Sequence, residues 1–303
     1  MTGSTPLVSW QDPGRTTLKR AARWHEWVPR WLPSGLTVTL RRLALKRYTV
    51  PVLCRLPTGQ QFFADPSDLV QCLVGTTGGW EQLIFDAVRP FVAPDATVLD
   101  VGAHVGYTAL LFADWVGASG RVVCFEPVPN HVAQLLRNLD VNGYRARTLV
   151  VPAAVADEAA VRSFCDDGGS NSGMGSLDAR EGRTPSRLVR TVAIDDWLAA
   201  TNVSDIALTK IDVEGAEALV VRGMSRSLVE GRHRAVLIEL HPEAAPAIGR
   251  ELASLFDRID RRPYALYEWQ PDRHSFAEVG ASEPANYLLA VRRDSTHLLG
   301  TGP

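Results

Sequence analysis

The chain has 303 residues, 46% of them hydrophobic and 22% charged, with a formal net charge of -2. That is the make-up of a globular protein long enough for one large domain with additions, which excludes a mainly disordered chain. The charge is uneven: residues 1–50 carry nine Lys or Arg against Asp12 and Glu26, so the remainder is acidic.

Residues 1–75 are expected to form an extension ahead of the main domain. Trp10, Trp24, Trp27 and Trp31 fall partly at helical intervals among the basic residues. This suggests a helix whose Trp face packs on the main domain or on a second subunit, making the extension a candidate homodimer surface. The alternative is a basic amphipathic helix lying on a membrane. Strand-like stretches follow at 49–56 and 61–64, with Pro57-Thr58-Gly59-Gln60 as a hairpin turn. The first thirty residues lack the apolar stretch of a signal peptide, and no later run approaches the roughly 20 apolar residues of a membrane span. Cys54, Cys72, Cys124 and Cys165 form no C-x-x-C pair, so reduced thiols and a cytoplasmic location are expected.

From residue 97 onward, short β-rich apolar runs alternate with helical patterns, as in βαβ units around a parallel sheet. Strands are expected at 97–101, 121–126, 148–152, 206–212, 235–240, 264–269 and 287–292, and helices at 107–115, 129–142, 214–229 and 243–258. No helix separates the last two strands, so the final one should run antiparallel. The expected fold is therefore α/β and Rossmann-like: a seven-stranded, mostly parallel sheet with helices on both faces, spanning 76–295 and followed by a tail at 296–303. Within it, 158–190 is a Gly/Ser-rich insertion, and so long a loop in a compact domain is usually functional or disordered. Asn171, Ser172 and Ser176 in that stretch are candidate substrate contacts.

The first strand runs into Asp100-Val101-Gly102-Ala103-His104-Val105-Gly106-Tyr107. A dinucleotide site would need G-x-G-x-x-G, so that backbone could approach a pyrophosphate. Here the glycines are Gly102 and Gly106, with His104 where a second glycine would stand. This spacing suits a ligand without phosphates: the 102–106 turn could floor a methionine moiety and Asp100 could face its amine. Glu126, ending the second strand, could accept both hydroxyls of a ribose, with Pro127 and Val128 offering apolar surface to an adenine. After the third strand, Asp157 could accept from the adenine amino group. The candidate cofactor-binding residues are thus Asp100, Gly102, Ala103, His104, Gly106, Tyr107, Glu126, Pro127 and Asp157.

Together with Lys210-Ile-Asp-Val-Glu-Gly-Ala-Glu217 and Ile238-Glu-Leu-His-Pro242, these residues resemble the FkbM family of methyltransferases over about residues 80–293. The resemblance implies a class I methyltransferase fold, S-adenosylmethionine as cofactor, and O-methylation of natural products, saccharides or lipids. His104 departs from the asparagine that relatives commonly carry.

Methyl transfer from a sulfonium is an in-line displacement, so the protein mainly positions the acceptor and removes its proton. Alternation sends Lys210 and Asp212 to one face of the fourth strand. Asp212 could orient the acceptor, Lys210 could stabilise a developing alkoxide, Glu214 stands just beyond, and Glu217 could merely position the next helix. Glu239 and His241 end the fifth strand, and His241 is the best candidate base on its ordinary pKa near 6.5. Asp212, Glu214, Glu239 and His241 are also candidate ligands for a Mg²⁺ ion. His25, His131, His233, His274 and His297 lie in segments that read as surface.

The leading expectation is a small-molecule O-methyltransferase that does not act on DNA. One competing reading is an RNA methyltransferase whose basic arm grips phosphates, although no RNA-binding module is recognised. Another is a non-catalytic cofactor-binding scaffold, against which the intact acids Asp100, Glu126 and Asp212 argue.

Overall fold

A computed structural model describes residues 50–165, 172–177, 185–201, 203–240, 263–279 and 286–299, with the helical positions Gly249, Leu252, Ser254 and Phe256. The Trp-rich arm before residue 50, Asn171, His241 and most of the helix expected at 243–258 lie outside the described residues. The chain divides into two compact units, Met1–Trp80 and Glu81–Pro303.

In the first unit, β1 (Val52–Arg55) and β2 (Gln61–Ala64) pair antiparallel in the expected hairpin, with Val52 opposite Ala64. Gly59 stands at φ +99° in the connecting turn. Helix α1 (Leu69–Thr77) follows, unforeseen despite two local signals. Asp68 caps its start by accepting from the Gln71 N–H, and the left-handed Gly78 closes its end.

The second unit opens with α2 (Gln82–Val88) and continues β3 (Thr97–Val101), α3 (Tyr107–Trp115), β4 (Arg121–Phe125), α4 (Pro129–Val141) and β5 (Thr148–Val151). Then come β6 (Ala154–Val155), β7 (Ala160–Phe164), β8 (Arg187–Val192), α5 (Ile194–Thr201) and β9 (Ile206–Ile211). The remaining elements are α6 (Glu217–Gly223), α7 (Ser225–Val229), β10 (His233–Glu239), β11 (Tyr264–Gln270), β12 (Ser275–Glu278) and β13 (Tyr287–Arg292).

The main sheet has the order β12-β11-β13-β10-β9-β3-β4-β5. From β10 to β5 every pairing is parallel, and β13 inserts antiparallel between β10 and β11. The fold is therefore Rossmann-like with an antiparallel final strand, as expected. It has one strand more than the seven foreseen, because β12 folds back on β11 as an edge hairpin.

The chain winds outward from β3 through β5, then returns to β9 and β10 on the other side. Right-handed crossovers on the two halves put their helices on opposite faces and open a crevice where β3 and β9 meet. Alternation divides the side chains accordingly. Leu99 and Val101 enter a fully buried core with Ile194, Leu198, Val221, Leu228, Leu252 and Phe256. Asp100 faces the other way, where Thr108 of α3 donates to it.

Two expectations are corrected. The stretch 158–190 is not one loop, because β7 and β8 pair antiparallel and, with β6, make a second three-stranded sheet. The alternation in Ala160–Phe164 and Arg187–Val192 carried that signal, and the Gly-rich run between them obscured it. The helix expected at 214–229 starts only at Glu217, because Glu214 and Gly215 stand at φ +55° and +110°. It also breaks at Met224 into α6 and α7.

Candidate active site

The site is the C-terminal edge of β3, β4, β9 and β10. Cys124, Asp100 and Lys210 are register partners on β4, β3 and β9, so their side chains form a row across one face. Asp100 is fully buried; its Oδ2 accepts from Thr108 at 2.8 Å, while Oδ1 has no hydrogen-bond partner and lies 4.0 Å from Lys210 Nζ. Burial pushes the Asp100 carboxyl up, with Lys210 and Thr108 pulling the other way.

Lys210 donates to Asp212 Oδ2 at 2.9 Å and to the Gly102 carbonyl at 3.2 Å. Burial works against its charge, but Asp212, Asp100 and Glu239 outweigh it and hold the ammonium protonated. Lys210 and Asp212 do share a face, as alternation predicts. The lysine, however, is 5% exposed and bonded to backbone and carboxylate, so it acts from beneath the site.

The turn after β3 has left-handed backbone at Gly102, His104 and Gly106, with φ +79°, +48° and +94°. A Cβ on Gly102 would lie 1.8 Å from the Asp212 carbonyl oxygen. The protein's own neighbouring strand therefore already demands glycine there. Gly102 and Ala103 donate N–H groups to the Phe125 carbonyl, tying the turn to β4.

Glu126 gathers the other side of the turn. Oε2 accepts the His104 N–H at 2.9 Å; Oε1 accepts the Val128 N–H at 2.9 Å and lies 3.2 Å from His131 Nδ1. The two imidazoles meet edge to face, centroids 4.4 Å apart, and His104 Nε2 lies 2.8 Å from Ser172 Oγ. Ser176, 1% exposed, donates to the Val213 carbonyl at 3.2 Å. The described part of the insertion thus returns to the strand ends that carry the turn and Asp212.

Glu239 stands on β10 opposite Tyr287 of β13. Burial and the like charges of Asp212 and Glu81 push its carboxyl well up, against Lys210 and Tyr287. Burial, Glu239 and Glu81 push the Tyr287 phenol up in turn. Glu217 is buried and accepts from the Gly215 N–H, fixing the start of α6.

The sequence candidates thus separate. Asp100, Gly102, Ala103, His104, Gly106, Glu126, Ser172, Ser176, Lys210, Asp212 and Glu239 converge on this edge. Tyr107 instead packs its ring on Phe85 and reaches Gln82. Asp157 lies past the point where the chain leaves the main sheet and pairs with Arg162 and Arg222. Among the described residues no group of three or more His, Cys, Asp or Glu has the arrangement to hold a metal ion.

Two histidines read as surface are not. His131 belongs to the Glu126 cluster; its place in the first turn after Glu126 and Pro129 was the available signal. His233 is fully buried between Thr209 and Ser227, with ring nitrogens 2.8 and 2.9 Å from their hydroxyls. Glu81 and Tyr287 gave no local signal.

The nucleoside cofactor expected from the sequence fits this donor set. The edge offers carboxylates and backbone rather than a cationic phosphate cradle, which suits a positively charged sulfonium. Asp100 Oδ1 is a buried acceptor with no hydrogen-bond donor. Glu126 has about four acceptor sites, against the three donors found here.

A profile of the Methyltransferase FkbM domain matches residues 100–266, more than half of the chain. The 2-O-methyltransferase NoeI of Sinorhizobium fredii (strain NBRC 101917 / NGR234) is 26% identical over 153 residues, 46% of this chain and 61% of that protein. A Protein-L-isoaspartate O-methyltransferase of Aeropyrum pernix is 41% identical over 64 residues, 21% of this chain and 24% of that protein. The matched region therefore spans less than two thirds of either relative. Among solved structures, the O-methyltransferase TomG from Streptomyces achromogenes, in complex with S-adenosylmethionine, aligns with a TM-score of 0.40 and 12% identity over 94% of this chain and 92% of that one. No described helix is long and apolar enough to cross a membrane.

Proposed function

Because the chain belongs to the FkbM methyltransferase family, we propose that it is an S-adenosylmethionine-dependent enzyme that methylates a hydroxyl oxygen of a small molecule: a natural product, a saccharide or a lipid. The observation that carries this reading is the pair Asp212 and Glu239 at the ends of adjacent strands, with Lys210 beneath.

Bound S-adenosylmethionine supplies an electrophilic methyl group on a sulfonium. Glu126 would hold its ribose, the 102–106 turn its methionine part, and Asp100 would lie under that turn. The chain must then orient the acceptor and take its proton. Asp212, fixed by Lys210, orients the hydroxyl, and Glu239 receives the proton. A carboxyl raised above its ordinary range is a stronger base when ionised than a free one. A carboxylate acceptor has no proton to lose and would meet the charges of Asp212 and Glu81, and an RNA phosphate backbone would meet the same repulsion. Ser172 and Ser176 belong to the wall on the acceptor's side.

The test is transfer of labelled methyl from S-adenosylmethionine to a panel of sugars, phenols, polyketide alcohols and glycolipids, with total RNA and carboxylic acids alongside. Alkali-stable label in a hydroxylated small molecule is expected. Label in RNA, or alkali-labile label in a carboxylic acid, overturns the reading.

A further inference from the structure

Resting on the reading that Glu126 holds the cofactor, we propose that His104 is a positioning residue that couples the 172–177 segment, through Ser172, to the carboxylate of Glu126. His104 stands at φ +48° between two left-handed glycines. That backbone is disfavoured for a residue with a side chain, and it persists only where surrounding contacts over-determine it.

The contacts are specific. The His104 N–H donates to Glu126 Oε2, while its ring Nε2 meets Ser172 Oγ at 2.8 Å. Its ring also seats edge-on against His131, which reaches the other oxygen of Glu126. One residue thus holds the Glu126 carboxylate with its backbone and the insertion with its side chain. Left-handed backbone makes this arrangement by turning the N–H back toward β4 while the ring stands clear of the turn.

The segment is pinned at a second point, because Ser176 pairs with Cys165 and donates to the Val213 carbonyl. The two anchors sit at the ends of β3 and β9, the adjacent strands that flank the crevice. A segment fixed at both ends across that crevice forms a wall whose position depends on His104. Fixing Glu126 with a bound nucleoside should therefore tighten the segment, and losing the His104–Ser172 bond should uncouple the two.

The test uses the full chain and S-adenosylhomocysteine as probe, with Ser172→Ala, His104→Asn and the double variant. Asparagine tolerates left-handed backbone and keeps the N–H for Glu126, but its side chain is too short to replace the ring. Amide hydrogen exchange of 172–177 is measured with and without the probe, and affinity by calorimetry. In the wild type the probe should slow exchange tenfold or more. Each single variant should abolish that slowing, the double should do no more, and His104→Gln, which restores the reach, should recover part of it. Because coupling between the probe and the segment is reciprocal, affinity should fall in each single variant by up to about the factor of slowing that is lost, and no further in the double. No probe-dependent slowing in the wild type, or additive effects in the double, overturns the proposal. Glu126→Ala separates the two readings: unchanged affinity there sinks the cofactor assignment, whatever the exchange data show.

Discussion

Lys210 Nζ donates to Asp212 Oδ2 across 2.9 Å, joining a buried ammonium on β9 to a partly exposed carboxylate two residues on along the same face. The bond makes Asp212 the member of the pair that meets solvent and, under the proposed function, the acceptor. Lys210 instead offsets Asp100 and Asp212 from below.

Lys210→Met should therefore act first on stability. It leaves the buried Asp100 with no counter-charge, and breaking a buried pair in this way costs about 3–5 kcal/mol. Urea denaturation should show that loss, and Asp100→Asn in the same chain should return part of it. A Lys210→Met chain as stable as wild type would show that Asp100 is protonated without help.

Glu239→Gln tests the proton acceptor. Its shape is kept but its basicity is lost, so methyl transfer should fall by about 10²–10⁴. S-adenosylhomocysteine affinity should change less than threefold. An equal fall in affinity and turnover would assign Glu239 to cofactor binding.

Glu126→Ala should weaken S-adenosylmethionine binding about tenfold or more, equivalent to about 1.4 kcal/mol. His131→Ala should give a smaller loss, because His131 orients Glu126 without replacing its backbone donors. Calorimetry on both variants checks the order, and a larger effect at His131 would make that imidazole the direct contact.

Gly102→Ala and Gly106→Ala both strain left-handed backbone, but they meet different obstacles. The new Cβ at Gly102 would fall 1.8 Å from the Asp212 backbone oxygen, whereas at Gly106 it meets the Leu135 Cδ1 at 2.4 Å. A leucine tip can move and a sheet carbonyl cannot. Gly102→Ala should lower the melting temperature well beyond Gly106→Ala, and the reverse order would mean that the β3–β9 contact is loose.

His233 sets a pH dependence. Burial, helped by Arg232, pushes its pKa down to about 3, whereas the unfolded chain titrates near 6.5. Below about pH 6.5 the unfolded state takes up a proton that the folded state refuses. Stability is thus fully present above that pH and lost as pH falls toward 3, by on the order of 4–5 kcal/mol at most. His233→Gln should flatten this limb in melting curves taken from pH 7 to 4, and an unchanged slope would assign it to other groups.

Local pattern was enough for much of this protein. The apolar run ending in Asp100, the glycines at 102 and 106, and the alternation of Lys210 with Asp212 depend only on near neighbours, so they could be read directly. Strand alternation also announced the parallel sheet and its antiparallel close. Burial and partnership depend instead on which strand lies beside which and in what register. His131 and His233 both look like surface histidines in sequence, yet one joins the Glu126 cluster and the other is sealed in the core. Glu239 meets Glu81 and Tyr287 only because β13 inserts beside β10 and Glu81, at the start of α2, comes to the same edge. Such long-range contacts leave no periodic trace, since they arise from chain crossings that a local pattern does not encode.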